Sequence, residues 1–368
     1  MTWEPARLDD QRHLTEGDPG GMLLAVAASA AHVRTGYRIA VESRVDRLAS
    51  QGRPRAIVVA GMGGSGIPGD ILTAVVGNGA PLPVVSLRSY QLPGWVGATD
   101  LVVVVSSSGE AEETVSVAMQ AVRRGCSLLG VGAPGSQLEA IATQASAVYV
   151  PVPVSGQSRA NIWLLTIPLI VAAAALRLVP ADADLYERVA SSLEDMAHRC
   201  RPSSESFINP GKSLAMDLAD NLPMIWGSSP AAGVAAYRLA SQLNTNAKYP
   251  AIHGELPEVC HNQVVAFDGP LAERDIFADA PGPAIRLVVL RDVEEHPQVT
   301  RRREAAVRLA RDRDVAVSEL AAEGEHPLER IATLVGLGDY ASTYLALGYG
   351  IDPTPVSAIA ELKARISQ

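Results

Sequence analysis

The feature that most constrains the fold of this chain is a buried strand that runs directly into a glycine-rich loop and then a helix. Residues 55–60 (RAIVVA) predict the strand, residues 61–66 (GMGGSG) the loop, and a helix is predicted around residues 70–76. Enough chain for a helix separates each apolar run of this half from the next, which predicts a βαβ series with a parallel sheet. The further predicted strands are residues 83–87, 100–105, 127–132 and 147–152.

The same pattern begins again in the second half of the chain. A strand at 223–226 and a loop at 227–230 precede a predicted helix at 231–243. Residues 180–184 and the charged stretch 194–205 separate the two halves. The later elements are predicted strands at 285–290 and 315–320 and a predicted helix at 327–347. We therefore predict two α/β domains in tandem, with an N-terminal helical extension at 1–40, a first domain at 41–185 and a second at 186–368.

Composition limits the classes of function. The chain has 368 residues, 48% of them hydrophobic and 19% charged, which is enough for two domains with separate cores. The formal net charge of −9 provides no broad basic surface for a phosphate backbone, so we expect no nucleic-acid partner. Any anionic ligand must then be held by local geometry.

Several features predict a protein of the cytoplasm. Residues 1–34 lack a basic segment followed by an apolar core, so no secretion signal is predicted. The most apolar run, 162–178, contains Pro168 and is shorter than the roughly 20 residues of a spanning helix. We interpret it as a buried helix and expect no membrane association. Three scattered cysteines fit a reducing compartment.

The glycine loop has more than one interpretation. It satisfies G-x-G-x-x-G in the strand-loop-helix context of a dinucleotide site, but residues 86–89 (SLRS), where an acid would bind the ribose, contain no Asp or Glu. Arg88 in that segment suits a 2′-phosphate, so a nicotinamide-dependent enzyme remains an alternative. The glycines also suit close approach of a sugar, with Ser65 as a hydrogen-bond donor. A tight turn without any ligand is the third interpretation.

A second loop carries several small hydroxyls. Residues 101–105 (LVVVV) run into 106–114 (SSSGEAEET), which leads into a helix. Hydroxyl and amide groups before a helix N-terminus can bind a phosphate monoester without a basic residue. The alternative is ordinary helix capping by serine, with glutamate in the first turn.

These loops resemble the sugar isomerase (SIS) domain, a flavodoxin-like fold with a doubly wound parallel sheet. The resemblance narrows to the bifunctional phosphoglucose/phosphomannose isomerase family, whose blocks recur in the same order over nearly the whole chain. The matching blocks are 61–66, 106–114, 156–159 (GQSR), 244–261 and 352–363. The resemblance implies two tandem SIS domains.

The resemblance also implies roles for individual residues. Arg159 stabilises an enediolate, His261 opens the sugar ring, and Lys363 assists at the ring oxygen. His261 is implied to act across the interface of a homodimer, and neither a metal nor a nucleotide cofactor is expected. The residues implied to bind the sugar phosphate are Gly63, Gly64, Ser65, Ser106, Ser108, Thr114 and Thr354.

The chain departs from the family at two places. The family's catalytic glutamate lies 16 positions before the histidine, where this chain has Thr245, and a hydroxyl has no pKa near 7 with which to act as the base. Ala111 replaces a phosphate-binding hydroxyl, and Glu110, Glu112 and Glu113 bring carboxylates near the expected phosphate.

Three replacements for the missing base are open: Glu255 or Glu258, Glu110 from the first domain, or a water held by Thr245 and Asn246. The predicted function is isomerisation of glucose 6-phosphate or mannose 6-phosphate to fructose 6-phosphate through a cis-enediol. The alternative is a protein that binds a sugar phosphate without catalysis.

Overall fold

The computed structural model describes residues 2–153, 156–272 and 283–366. The chain forms two compact units. The first unit comprises Ala27–Glu194 with His326–Glu329, and the second comprises Met1–Val26, Asp195–Glu325 and Arg330–Gln368.

Helices and parallel strands alternate along most of the chain. The strands are β1 (Ile57–Ala60), β2 (Val84–Leu87), β3 (Leu101–Ser106), β4 (Ser127–Gly132), β5 (Val148–Pro151), β6 (Asn221–Gly227), β7 (Ile252–Glu255), β8 (Ala284–Arg291) and β9 (Ala316–Ala321). The helices are α1 (Gln11–Gly17), α2 (Met22–Ala27), α3 (Ser29–Glu42), α4 (Ile67–Val76), α5 (Glu112–Arg123), α6 (Gln137–Gln144), α7 (Ile162–Ala175), α8 (Ala183–Arg199), α9 (Pro210–Leu218), α10 (Pro230–Gln242), α11 (Pro297–Arg311), α12 (Pro327–Gly348) and α13 (Ser357–Ile366).

The first unit is built on a five-stranded parallel sheet in the order β2-β1-β3-β4-β5. Ile57 of β1 lies opposite Val84 on one side and Leu101 on the other. Every residue of β1 and β3 is buried, as expected for central strands of a parallel sheet covered by helices on both faces. This strand order is that of a flavodoxin-like doubly wound sheet, so the predicted fold class is confirmed.

The second unit repeats the arrangement with one strand fewer, in the order β7-β6-β8-β9. All three strand pairs are parallel. The sequence analysis did not identify β7, because its four residues IHGE are mostly exposed and carry no apolar run. This strand lies inside the block that the sequence analysis assigned to the functional site.

The apolar run of the sequence forms α7, and the prediction of a buried helix is confirmed. The segment 158–175 is long and apolar enough to cross a membrane, but 72% of it is buried within the structure. Helix α7 packs against α3 and α4 of the first unit. Pro168 lies inside the helix without ending it.

The charged stretch that the sequence analysis interpreted as a break between the halves begins inside a helix. Residues 183–199 form the continuous helix α8. Two of its carboxylates, those of Glu187 and Glu194, pair with Arg34 of α3 at 2.5 Å each. These charged side chains lie on the exposed face of α8, and the apolar residues of the helix are buried on its opposite face.

Candidate functional site

The glycine loop of the first unit folds tightly between β1 and α4. Residues Gly63–Gly66 form a 3-10 turn, and Gly63 has a φ of 52°. A Cβ on Gly61 would lie 2.2 Å from the Ser65 carbonyl oxygen, so the turn requires glycine there. Gly63 and Gly64 are exposed at the carboxyl end of the strand, where doubly wound sheets bind ligands.

The serine loop meets the glycine loop through a direct hydrogen bond. The backbone N–H of Ser107 donates to the Ser65 hydroxyl at 3.2 Å. Both loops follow neighbouring strands of the sheet, since β1 pairs with β3. The predicted phosphate-binding hydroxyls of Ser65, Ser106 and Ser108 therefore lie at the same edge.

Hydroxyls of the serine loop accept hydrogen bonds from the loop backbone. The N–H of Gly109 donates to Ser106 at 3.1 Å, and the N–H of Glu110 donates to Ser108 at 3.2 Å. The two hydroxyl oxygens also lie 3.5 Å apart, so one hydroxyl donates to the other and the second keeps its proton for a further partner. The capping alternative does not describe this loop, because the N-cap of α5 is Ala111 without a side-chain hydrogen bond.

The geometry of the serine loop requires glycine at position 109. Its φ is 69°, and a Cβ at this position would lie 2.1 Å from the Ser136 hydroxyl oxygen. Any other residue would strain the backbone and displace Ser136. The close approach holds the serine loop against the start of α6.

Thr114 lies in the first turn of α5 and is 1% exposed. Its hydroxyl makes no hydrogen bond with any residue that the structure describes. A buried polar atom without a partner is uncommon in folded proteins. The position is therefore suited to a polar contact with a further group.

Two of the three glutamates near the serine loop are engaged elsewhere. The carboxylate of Glu110 accepts from the backbone N–H of Gln137 at 2.8 Å, at the start of α6. Glu113 hydrogen-bonds Tyr90 and its charge raises the pKa of that phenol. These carboxylates thus have partners of their own.

Arg159 lies in a 3-10 turn, Ser158–Ala160, just before α7, and is half-buried. The His32 side chain of α3 hydrogen-bonds the Ala160 backbone, while burial lowers the pKa of His32. His32 was not predicted as a site residue, because no residue near it in the sequence indicates a contact with Ala160. It fixes the backbone next to the predicted catalytic arginine.

Arg88 of the first unit pairs with Asp70 of α4. Its side chain also lies against Gly66, where a Cβ would be 3.0 Å from Nε. The charge suggested for a 2′-phosphate is thus compensated by a carboxylate. This contact favours a structural role for Arg88 over the dinucleotide alternative.

In the second unit, Thr245 lies in a π turn, Leu243–Ala247, that directly continues α10. Such turns are rare and frequently occur at functional sites. The Thr245 hydroxyl donates to the Ser241 carbonyl at 2.9 Å. Asn246 is buried, and its side-chain amide donates to the Ser342 hydroxyl at 3.0 Å.

His261 ends a 3-10 turn, Glu258–His261, and is exposed. Its ring makes no hydrogen bond or ion pair with the described part of the chain. Neighbouring groups hold the turn: Val259 is buried, and Asn262 donates to the Glu258 carboxylate at 3.1 Å. The imidazole is therefore presented on a fixed backbone.

Lys248 connects the π turn to the C-terminal loop, a link that the sequence analysis did not identify. Its ammonium donates to the carbonyls of Asp352 at 2.9 Å and Pro353 at 3.3 Å. Thr354 follows directly, so the structure brings the segments of Thr245 and Thr354 together. Lys363 lies on α13, a helix without buried residues among those described.

Comparison with known proteins gives the family. The chain is 31% identical over 312 residues to a bifunctional phosphoglucose/phosphomannose isomerase of Caldicellulosiruptor bescii, covering 85% of this chain and 89% of the relative. The chain belongs to the bifunctional phosphoglucose/phosphomannose isomerase family. A protein of Aquifex aeolicus with the same name is 29% identical, with coverages of 85% and 91%.

Two further comparisons concern a domain of the chain and its fold. Residues 207–366 match the model of the bacterial phospho-glucose isomerase C-terminal SIS domain. A solved structure of a hypothetical protein from Thermus thermophilus has a TM-score of 0.70 at 14% identity, covering 97% of this chain and 93% of the other. At this identity, the similarity to the Thermus thermophilus structure concerns the fold alone.

For a phosphoglucose/phosphomannose isomerase, the position of Glu255 relative to Thr245 bears on whether this glutamate could replace the missing base. Oε2 of Glu255 lies 2.5 Å from where a Cβ on Gly233 would be, near the start of α10. Twelve residues separate Gly233 from Thr245, which is about 18 Å along a helix. Burial raises the pKa of Glu255, but its carboxylate lies at the opposite end of α10 from Thr245.

The other replacements for the base also have competing contacts. The Glu258 carboxylate accepts from Asn262, and Glu110 accepts from the backbone at the start of α6. The Asn246 side chain is 0% exposed and bonded to Ser342, so it is not positioned to hold a water at the surface. Glu258, Glu110 and Asn246 thus have partners of their own, whereas Glu255 lies at the other end of α10 from Thr245.

Proposed function

We propose that this chain binds hexose 6-phosphates and slowly interconverts their aldose and ketose forms. The observation that carries the proposal is the meeting of the Ser65 hydroxyl with the Ser107 amide, which gathers the hydroxyls of the serine loop at one edge of the sheet. The hydroxyl protons of Ser65, Ser106 and Ser108 are suited to donate to phosphate oxygens. Gly63, Gly64 and Thr114 complete the proposed phosphate-binding set.

The proposed reaction converts glucose 6-phosphate or mannose 6-phosphate to fructose 6-phosphate through a cis-enediol. His261 opens the sugar ring, Lys363 assists at the ring oxygen, and the guanidinium of Arg159 stabilises the enediolate. Thr354 contributes to substrate selection. Thr245 supplies no base, so a solvent water has to accept the proton from one carbon and return it to the next, which makes this transfer the slow step.

A coupled assay of fructose 6-phosphate formation from each aldose phosphate tests this proposal. We expect turnover above that of the His261→Ala variant, because the ring-opening step is lost in that variant. Equal rates for the two proteins would overturn the proposed isomerase activity.

The second candidate is binding without turnover. It is favoured by the residue at position 245, because threonine offers no carboxylate and its hydroxyl donates to the Ser241 carbonyl. Calorimetric titration with glucose 6-phosphate separates the candidates: binding without product formation supports the second, and absence of binding contradicts both.

We also propose a cytoplasmic homodimer. Helix α13 supports it, since Ile359, Leu362 and Ile366 of this helix are 46%, 58% and 74% exposed and share one apolar face. The three cysteines are free, as expected in a reducing compartment. Light scattering after size-exclusion chromatography is expected to give twice the mass of the chain, and a monomer mass would contradict the dimer.

A further inference from the structure

A cavity lies at the amino ends of the strands of the first unit. It has a volume of about 440 Å³ and is lined by the first residues of β3 and β4, Leu101 and Ser127. The serine loop follows the other end of β3, at Ser106. Since β3 has six residues, about 17 Å separate the cavity from that loop.

A second cavity of about 360 Å³ adjoins the first one. The two share Gly52, Arg53 and Leu176, and the second adds Arg177. Together they form one cleft, the amino-edge cleft, within the first unit. Its combined size suits a small organic molecule.

Two guanidinium groups in the amino-edge cleft have no partner in the described part of the chain. Arg53 and Arg177 are exposed and make no hydrogen bond or ion pair with any described residue. A third arginine, Arg55, differs from them because it pairs with the buried carboxylate of Asp100 at 2.6 Å. Among the described residues, these two positive charges of the cleft have no carboxylate partner, in a chain whose net charge is −9.

The backbone at Arg177 is unusual. Its φ of 58° lies in the left-handed region that favours glycine, directly after α7. An arginine that occupies a position suited to glycine is held there against a conformational cost. Its side chain leaves the end of the helix at the cleft.

The other described lining residues supply hydroxyls and an apolar wall but no carboxylate. Thr99 and Ser127 offer hydroxyl groups, and the half-buried Leu176 offers apolar surface, whereas Leu48 and Leu101 are buried behind the lining. Planar guanidinium groups recognise phosphate and carboxylate oxygens through paired hydrogen bonds. A ligand that matches this lining carries an oxyanion next to an apolar body.

We propose that the amino-edge cleft is a second binding site, which takes a small organic anion. Arg53 and Arg177 bind its phosphate or carboxylate group, and Leu176 contacts its apolar part. The site is separate from the serine loop and does not depend on the activity proposed above.

Calorimetric titration of the full chain with phenyl phosphate and with benzoate tests the site. The two probes share a ring and differ in the oxyanion, so they also show which group the cleft takes. We expect saturable binding of at least one probe, about tenfold weaker in the double variant Arg53→Ala/Arg177→Ala. The double variant Arg53→Lys/Arg177→Lys is expected to bind with intermediate affinity, because it keeps the charges and loses the paired hydrogen bonds.

One further variant separates this site from binding to surface arginines elsewhere in the same unit. Arg123→Ala removes an exposed arginine from the last turn of α5 in the same unit, and it is expected to keep the affinity. Phenyl phosphate is a monoester that the serine loop is also proposed to bind, so only the part of its binding that the double alanine variant loses is assigned to the cleft. The proposal is overturned if neither probe binds below about 10 mM, if the double alanine variant binds both probes as the unchanged chain does, or if Arg123→Ala weakens binding equally.

Discussion

The hydroxyl of Thr245 donates a hydrogen bond of 2.9 Å to the backbone carbonyl of Ser241, one turn earlier in the same helix. The proton of the threonine is thereby directed into the helix. Aldose–ketose isomerisation moves a proton between neighbouring carbons and needs a base at a fixed position. The π turn holds position 245 in place, while the side chain there provides no such base.

Replacing Thr245 with glutamate is expected to raise the rate of fructose 6-phosphate formation by about 10²–10⁴-fold, the usual contribution of a general base. The position is half-buried, so a longer side chain can extend from the turn. The coupled assay measures the change with both aldose phosphates. Thr245→Gln is the matched control, with nearly the same size and no charge, and equal rates for the two variants would contradict the assignment of position 245.

Replacing Ser106 with alanine is expected to weaken glucose 6-phosphate binding by about tenfold, because one hydrogen bond to a charged phosphate is lost. The same change leaves the Gly109 N–H without its acceptor. Calorimetric titration gives the affinity. Ser116→Ala serves as the control, since the Ser116 hydroxyl donates to the Tyr90 carbonyl outside the loop. Unchanged affinity in Ser106→Ala would remove this serine from the proposed phosphate site.

A buried ion pair stabilises the helix that leads to Thr245. Arg238 of α10 and Asp339 of α12 are 1% and 3% exposed at the side chain, with Nη2 2.9 Å from Oδ2. Arg238→Met is expected to lower the free energy of unfolding by about 3–5 kcal/mol, because it leaves a buried carboxylate unpaired. Urea denaturation measures the loss. Arg238→Met/Asp339→Leu is expected to recover most of it, and a double variant as unstable as the single one would show that the loss has another cause.

His32 is expected to make the stability of the protein dependent on pH. Burial lowers its pKa in the folded state, so below about pH 6.5 the unfolded chain binds a proton that the folded chain does not. Stability therefore falls as the pH falls from 6.5 towards the lowered folded pKa, by at most about 1.4 kcal/mol per pH unit for this group.

Urea denaturation of the unchanged chain and of His32→Asn, at pH 7.5 and pH 5.5, measures this effect. The variant is expected to lose less stability between the two pH values. His198→Asn, in which an exposed histidine is replaced, is the control. An equal pH dependence in all three proteins would show that His32 does not titrate on unfolding.

Most strands of the two sheets could be predicted from the sequence, because the residues of each strand identify it without reference to its neighbours. Runs such as 101–105 (LVVVV) are buried on both faces, so each is apolar over its whole length and is recognisable without knowledge of its neighbours. β7 has no such run and was missed. Its four residues are exposed or half-buried, and only pairing with β6 defines it as a strand.

The candidate site likewise has parts that the local sequence identifies and parts that only tertiary contacts define. The sequence by itself determined the family, the glycine and serine loops and the presence of threonine at position 245, since these are matters of residue type and spacing. Only the tertiary structure decided that Ser65 meets Ser107 and that Glu255 lies against Gly233 rather than near Thr245. Such contacts join residues far apart in the chain, and their geometry follows from how strands and helices pack.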